Sequence, residues 1–170
     1  MIAASIFLIL PICLALAALT DLFTMTIPNR ISLILFCSFV IVSPFTDLGW
    51  QGISMSLLAG LAVFAACFAL FALNVMGGGD AKLLTASTVW FGFDQALALY
   101  MVAVAVFGGI LTIGILFIRS RHQQIMATGL PVPDSLLVAD KVPYGIAIAA
   151  AGLLTYPEAP IVQFAMQAMM

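Results

Sequence analysis

Charge is what this sequence has least of. Only 7% of its 170 residues are Asp, Glu, Lys or Arg, where an ordinary soluble domain carries about 25%. With 65% hydrophobic residues and a mean hydropathy of +1.27, a water-soluble fold of this size has nowhere to hide its apolar surface. The natural solvent is a bilayer. There is no basic run, which removes nucleic-acid binding. There is no C-x-x-C: Cys13, Cys37 and Cys67 lie far apart in apolar runs, so no zinc module is visible and they read as small packing residues. No metal set and no cofactor motif is called for. Residues 1–19 contain no Lys or Arg, so no signal-peptide n-region exists. The first apolar segment therefore reads as a retained span, although Ala15-Leu16-Ala17 has the look of a cleavage site.

What is present is a series of apolar runs. A membrane helix needs roughly 20 apolar residues, and six stretches compete for that role: 2–20, 31–45, 53–73, 81–93, 95–118 and 142–156. With no internal repeat and no soluble insert, residues 1–170 read as one all-α domain, a polytopic membrane bundle of about six helices.

The few charges orient it. All five Lys and Arg residues follow odd-numbered spans: Arg30 after the first, Lys82 after the third, and Arg119, Arg121 and Lys141 after the fifth. The other connections hold Asp47, Asp94 and Glu158. The positive-inside rule then makes the basic loops cytoplasmic and turns both chain ends outward. Trp50, Trp90, Tyr100 and Tyr156 fall near the proposed outer ends, where amphipathic rings are expected to sit. The apolar tail after Pro157 is expected to rest on the outer face.

Two acids remain once the loop charges are set aside. Asp21 ends the first span directly after an uninterrupted apolar run. Asp80 follows Gly77-Gly78-Gly79 and opens the fourth. Acids at membrane depth are costly and mark function more often than not. Asp21 alone reads as well as a helix-end marker, and Asp80 alone as an N-cap. The glycine run is either a flexible linker or a surface stripped of side chains so that another backbone, such as a substrate peptide, approaches closely. The fourth span offers about 13 residues, roughly 20 Å of helix, against a hydrocarbon core about 30 Å thick. A locally thinned bilayer would make up the shortfall, and so would a water-filled recess on the cytoplasmic side, which would also bring water to Asp80. Two carboxylates facing each other there would share a proton. The ionised member would activate water and the protonated one would polarise a scissile carbonyl.

The sequence Met76-Gly-Gly-Gly-Asp-Ala-Lys-Leu-Leu-Thr-Ala86 resembles the G-x-G-D motif of type IV prepilin peptidases. Thr20-Asp-Leu-Phe-Thr-Met-Thr-Ile-Pro-Asn-Arg30 resembles that family's first motif, an aspartate followed by I-P-N at Ile27, Pro28 and Asn29. Lys141-Val-Pro-Tyr-Gly145 resembles its Pro-aromatic-Gly element. The likeness runs from the first span to the last. It implies a multi-pass bilayer enzyme of the cytoplasmic membrane that cuts the basic leader from pilin-like precursors on the cytosolic side, with Asp21 and Asp80 as the catalytic pair. Long members carry a cytosolic region with paired C-x-x-C motifs between the first two spans. Here only about 10 residues separate those spans, a length similar to the short branch serving tight-adherence (Flp-type) pili, and N-methyltransferase activity is not implied.

The neighbours of the pair have simpler readings. Pro28-Asn29 is expected to cap the second span, with Asn29 accepting from its first amides. Lys82 is expected to meet phospholipid headgroups, with tuning of the two acids as the alternative. His122, beside Arg119, Arg121 and Gln123, reads as a solvated imidazole. Asn74 reads as a helix end, and Asp134 and Asp140 as loop acids that could also attract a basic leader. A different class of function competes: a small proton-coupled transporter or channel using Asp21 and Asp80 as relay groups. An inactive subunit of a secretion complex would leave the glycine run and Asp80 unexplained.

Overall fold

The computed structural model describes residues 2–121 and 142–167, with side chains from Ile6 onward. His122, Gln123, Asp134, Asp140 and Lys141 lie outside the described residues. Among those described, the regular structure is entirely helical: α1 (Ile2–Thr24), α2 (Asn29–Val42), α3 (Gly49–Ala72), α4 (Gly78–Phe91), α5 (Gln95–Ser120), α6 (Tyr144–Thr155) and α7 (Pro160–Gln167). Short 3-10 turns, Ser43–Phe45 and Tyr156–Glu158, extend α2 and α6.

By length and apolar composition, α1, α3 and α5 can cross a membrane, and α6 with α7 forms a fourth candidate bent by 47°. α2 and α4 are apolar or mixed helices of 14 residues each, roughly 21 Å long at 1.5 Å per residue. α6 has 12 residues and reaches spanning length only together with α7. The chain is a polytopic helical membrane bundle in which three long helices surround shorter ones.

α4 is the centre. It packs against α2, α3, α5, α6 and α7, and its residues from Ala86 to Phe91 are all buried. A helix enclosed on every side must satisfy its polar groups internally. The hydroxyls of Ser87 and Thr88 do so by donating to the Leu83 and Leu84 carbonyls of their own helix, at 2.9 and 2.7 Å. Close approach also needs small residues. A Cβ at Gly60 on α3 would stand 2.7 Å from Val89 Cγ1 on α4, the small-residue logic of helix contacts in lipid.

Two expected interfacial rings turn inward. Trp90 and Tyr100 are 1% and 0% exposed. The Trp90 indole N–H donates to the Leu35 carbonyl at 3.1 Å, and the Tyr100 hydroxyl shares a 2.7 Å hydrogen bond with Ser87 Oγ. Each polar tip has a partner inside the protein, so neither needs the headgroup layer. Trp50 stays on the surface and Tyr156 is half-buried. Cys13 and Cys67 are buried as expected of packing residues, whereas Cys37 is exposed. The tail folds back as α7, burying Ile161, Val162 and Ala165 in contact with α1 and α4.

Candidate functional site

The D-x5-I-P-N spacing has a geometric cause. Asp21 does not end α1, as the sequence suggests. The helix continues one turn to Thr24 and closes with the Met25 amide donating to the Asp21 carbonyl at 3.0 Å. Met25 then takes a left-handed conformation, φ 53°, uncommon for a residue with a side chain. Thr24 and Thr26 pair their hydroxyls across this corner at 2.7 Å. The reversal carries Ile27 back into the bundle, where it is buried at the level of Asp21. Pro28 then starts α2 with no side-chain cap.

The second motif meets the first at this point. Gly77 is the N-cap of α4 and adopts an extended conformation. Asp80 therefore lies two positions inside the first turn, not at the cap. A carboxylate there favours the positive end of the helix dipole. The glycines now have particular partners. A Cβ at Gly77 would stand 2.7 Å from Asp80 Oδ2, one at Gly78 would stand 3.2 Å from the Phe71 ring, and one at Gly79 would stand 3.2 Å from Ile27 Cβ and 3.6 Å from Ile27 N. The backbone that approaches Gly79 closely is the chain's own I-P-N segment.

The third motif supplies a donor. Gly145 is the second residue of α6, so its amide has no partner within the helix. It donates to Asp21 Oδ2 at 2.7 Å, a length typical of a charge-assisted bond. Asp21 is 5% exposed, and Asp80 is half-buried.

Both acids line one cavity of about 550 Å³. Its remaining walls are the 25–29 corner, Gly77 to Gly79, and Val142. A second cavity of about 570 Å³, more apolar, adjoins it and shares Gly77, Asp80 and Val142. Tyr144 lines this second space and rests against α5, its ring filling the place of a side chain at Gly108. From Gly108 to the end of α5 at Ser120 is about 18 Å of helix, so α5 runs on well beyond its contact with Tyr144.

One expectation about the rim is corrected. Asn29 does not cap α2. Its Oδ1 accepts from Lys82 Nζ at 3.0 Å, tying the start of α2 to the first turn of α4. Lys82, expected to meet headgroups or to tune the two acids, makes this bridge between helices with its ammonium exposed to the surroundings. Ile27 and Gly145, quoted in the sequence only as parts of motifs, turn out to be structural members of the site. Asn74 does end a helix, with φ 58° and its amide donating to the Phe71 carbonyl at 2.9 Å.

Two carboxylates around a space large enough for water and a peptide segment have the chemistry for general acid–base catalysis: one takes a proton from water while the other hydrogen-bonds a carbonyl. No curated protein and no solved structure matches the chain. A model of the type IV leader peptidase family matches residues 8–118, a stretch that contains both acids, the I-P-N corner and the glycine run. With that match over most of its length and the two motifs meeting around one cavity, the chain belongs to the type IV leader peptidase family.

Proposed function

We propose that this protein is an aspartic endopeptidase that removes the leader from type IV, Flp-like prepilins at the cytoplasmic face of the inner membrane. Asp21 and Asp80 share one proton, the ionised carboxylate draws a proton from water, and the other donates to the scissile carbonyl. The observation that carries this reading is the common cavity lined by both acids. The charge asymmetry supports the orientation, since all five Lys and Arg residues fall toward the connections that follow odd-numbered spans, and Arg30 and Lys82 lie in the first turns of the two helices that begin at the site. The substrate is a pilin-like precursor with a basic leader before a hydrophobic helix, presented within the bilayer.

The test is co-expression with a candidate precursor, followed by its size on a gel. The parent chain is expected to shorten the precursor, and Asp21→Asn and Asp80→Asn are expected to leave it full length at unchanged membrane levels. Complete processing by either Asn variant would remove that residue from the chemistry. A transporter using the same acids would change no precursor's size.

A further inference from the structure

The two acids lie on different helices, and the chemistry needs them held at one spacing. The contacts that hold them converge on Gly145 and Ile27. A Cβ at Gly145 would stand 2.8 Å from Asp21 Oδ2, 2.8 Å from Ile27 Cδ1 and 3.1 Å from Asp21 Cβ. A Cβ at Gly79, next to Asp80, would meet the Cβ of the same Ile27 at 3.2 Å. Ile27 is thus wedged between the α4 turn that bears Asp80 and the α6 turn that bonds Asp21. We propose that Gly145 and Ile27 are positioning residues: the Gly145 amide holds one oxygen of the Asp21 carboxylate, and Ile27 is the spacer that sets Asp21 and Asp80 apart across the cavity.

The proposal rests on the reading of Asp21 and Asp80 as the catalytic pair, and it adds a division of labour within Asp21. Oδ2 is committed to the backbone amide at 2.7 Å, which leaves Oδ1 as the oxygen for a water or substrate proton. The amide is well suited to the task. It is fixed by the start of α6, cannot rotate away, and belongs to the set of helix N-terminal donors that otherwise need a cap. Glycine is required because any Cβ at 145 would push into both the carboxylate and the spacer. The D-x5-I distance follows from the same need, since one further turn of α1 and the Met25 reversal return Ile27 to the level of Asp21. Among the described residues, Asp80 is the titratable group that shares the cavity. Tyr144 on α6 lines the adjoining space, and Arg30 on α2 is exposed.

A control for plain packing damage lies on the same helix. Gly152 also faces α1, and a Cβ there would stand 2.6 Å from Leu14 Cδ1, far from either acid. Gly145→Ala and Gly152→Ala therefore crowd the same pair of helices, but only the first touches Asp21. In membranes with a cleavable precursor, Gly145→Ala is expected to lower kcat about 10- to 100-fold, the range for a small misplacement of a catalytic group, with KM little changed. Ile27→Ala, which adds no bulk, is expected to do the same, with partial recovery in Ile27→Leu. Gly152→Ala is expected to keep the parent's kcat.

A second readout needs no substrate: the pH profile of Asp21 modification by a hydrophobic carbodiimide, located by mass spectrometry. Gly145→Ala and Ile27→Ala should each move the midpoint of that profile, and Gly152→Ala should leave it in place. A profile unmoved by Gly145→Ala, or moved equally by Gly152→Ala, overturns the positioning role. If no precursor is cleaved by the parent chain, the peptidase reading fails while the modification profile still decides whether Gly145 and Ile27 control Asp21.

Discussion

The two ends of this bundle are built on opposite principles. At the end that holds the N-terminus of α4, side chains are removed. Gly77, Gly78, Gly79 and Gly145 let backbone, carboxylate and the I-P-N corner meet, and a cavity of about 550 Å³ remains. At the end that holds the C-terminus of α4, side chains are large and the space is filled. Phe91 stacks on Tyr100 with centroids 4.2 Å apart, and Phe39 meets Trp90 edge-on at 6.0 Å. One helix of 14 residues joins them. The lesson is a separation of tasks. In lipid, helices gain no hydrophobic driving force from association and depend on packing and interhelical hydrogen bonds. The aromatic end supplies these and holds α2, α4 and α5 together, which leaves the glycine end able to stay hollow around two acids.

This contrast can be broken at either end. The largest effect is expected from the acids. Asp21→Asn and Asp80→Asn should each abolish precursor cleavage, and the double variant should be no worse than either single one, because groups acting as a unit do not add. Their folding should be intact, which would separate chemistry from architecture. Next comes Gly145→Ala, which damages the hollow end without removing an acid, as set out above. At the filled end the expectation reverses. Trp90→Phe removes the indole N–H to Leu35 and should cost about 1 kcal/mol of stability, seen as a lower Tm in detergent, while kcat per folded molecule stays near the parent value. Tyr100→Phe should cost less, about 0.5 kcal/mol, because Ser87 keeps its bonds to the Leu83 and Leu84 carbonyls at 2.9 and 3.0 Å. If either aromatic substitution lowered kcat as strongly as Gly145→Ala does, the two ends would not be separate devices.

Much of the hollow end can be read from the amino acids, because its key groups are out of place in lipid. Asp21 and Asp80 stand out as acids beside apolar runs, and three consecutive glycines before Asp80 mark a close approach. The shortness of α4 can also be read, since Gly92 stops it with φ 70° and the acid at Asp94 starts α5 by accepting from Gln95 N at 2.6 Å. What escaped the sequence is contributed by backbone or by distant partners. Gly145 acts through an amide that every residue but proline possesses, so nothing in its side chain announces the role. Asp21 reads as the end of its helix because the reversal falls on Met25, where no glycine signals a left-handed residue. Trp90 and Tyr100 lie near helix ends in sequence, as interfacial rings do. Only tertiary structure reveals the Leu35 carbonyl and Ser87 hydroxyl that draw them inside. Asn29 has the composition of a cap, yet Lys82, 53 positions away, claims its oxygen.

The most direct measurement is proximity of the two acid positions in native membranes. In a chain whose Cys13, Cys37 and Cys67 are replaced, cysteines are placed at Asp21 and Asp80 and treated with a short bifunctional thiol reagent, with a pair at Asp21 and Asp94 as the opposite-end control. The two positions around the shared cavity are expected to join within one chain in high yield, and the control pair is not. Failure of the Asp21–Asp80 pair to join, or an equal yield from the control, would contradict a site in which both carboxylates act on the same bond.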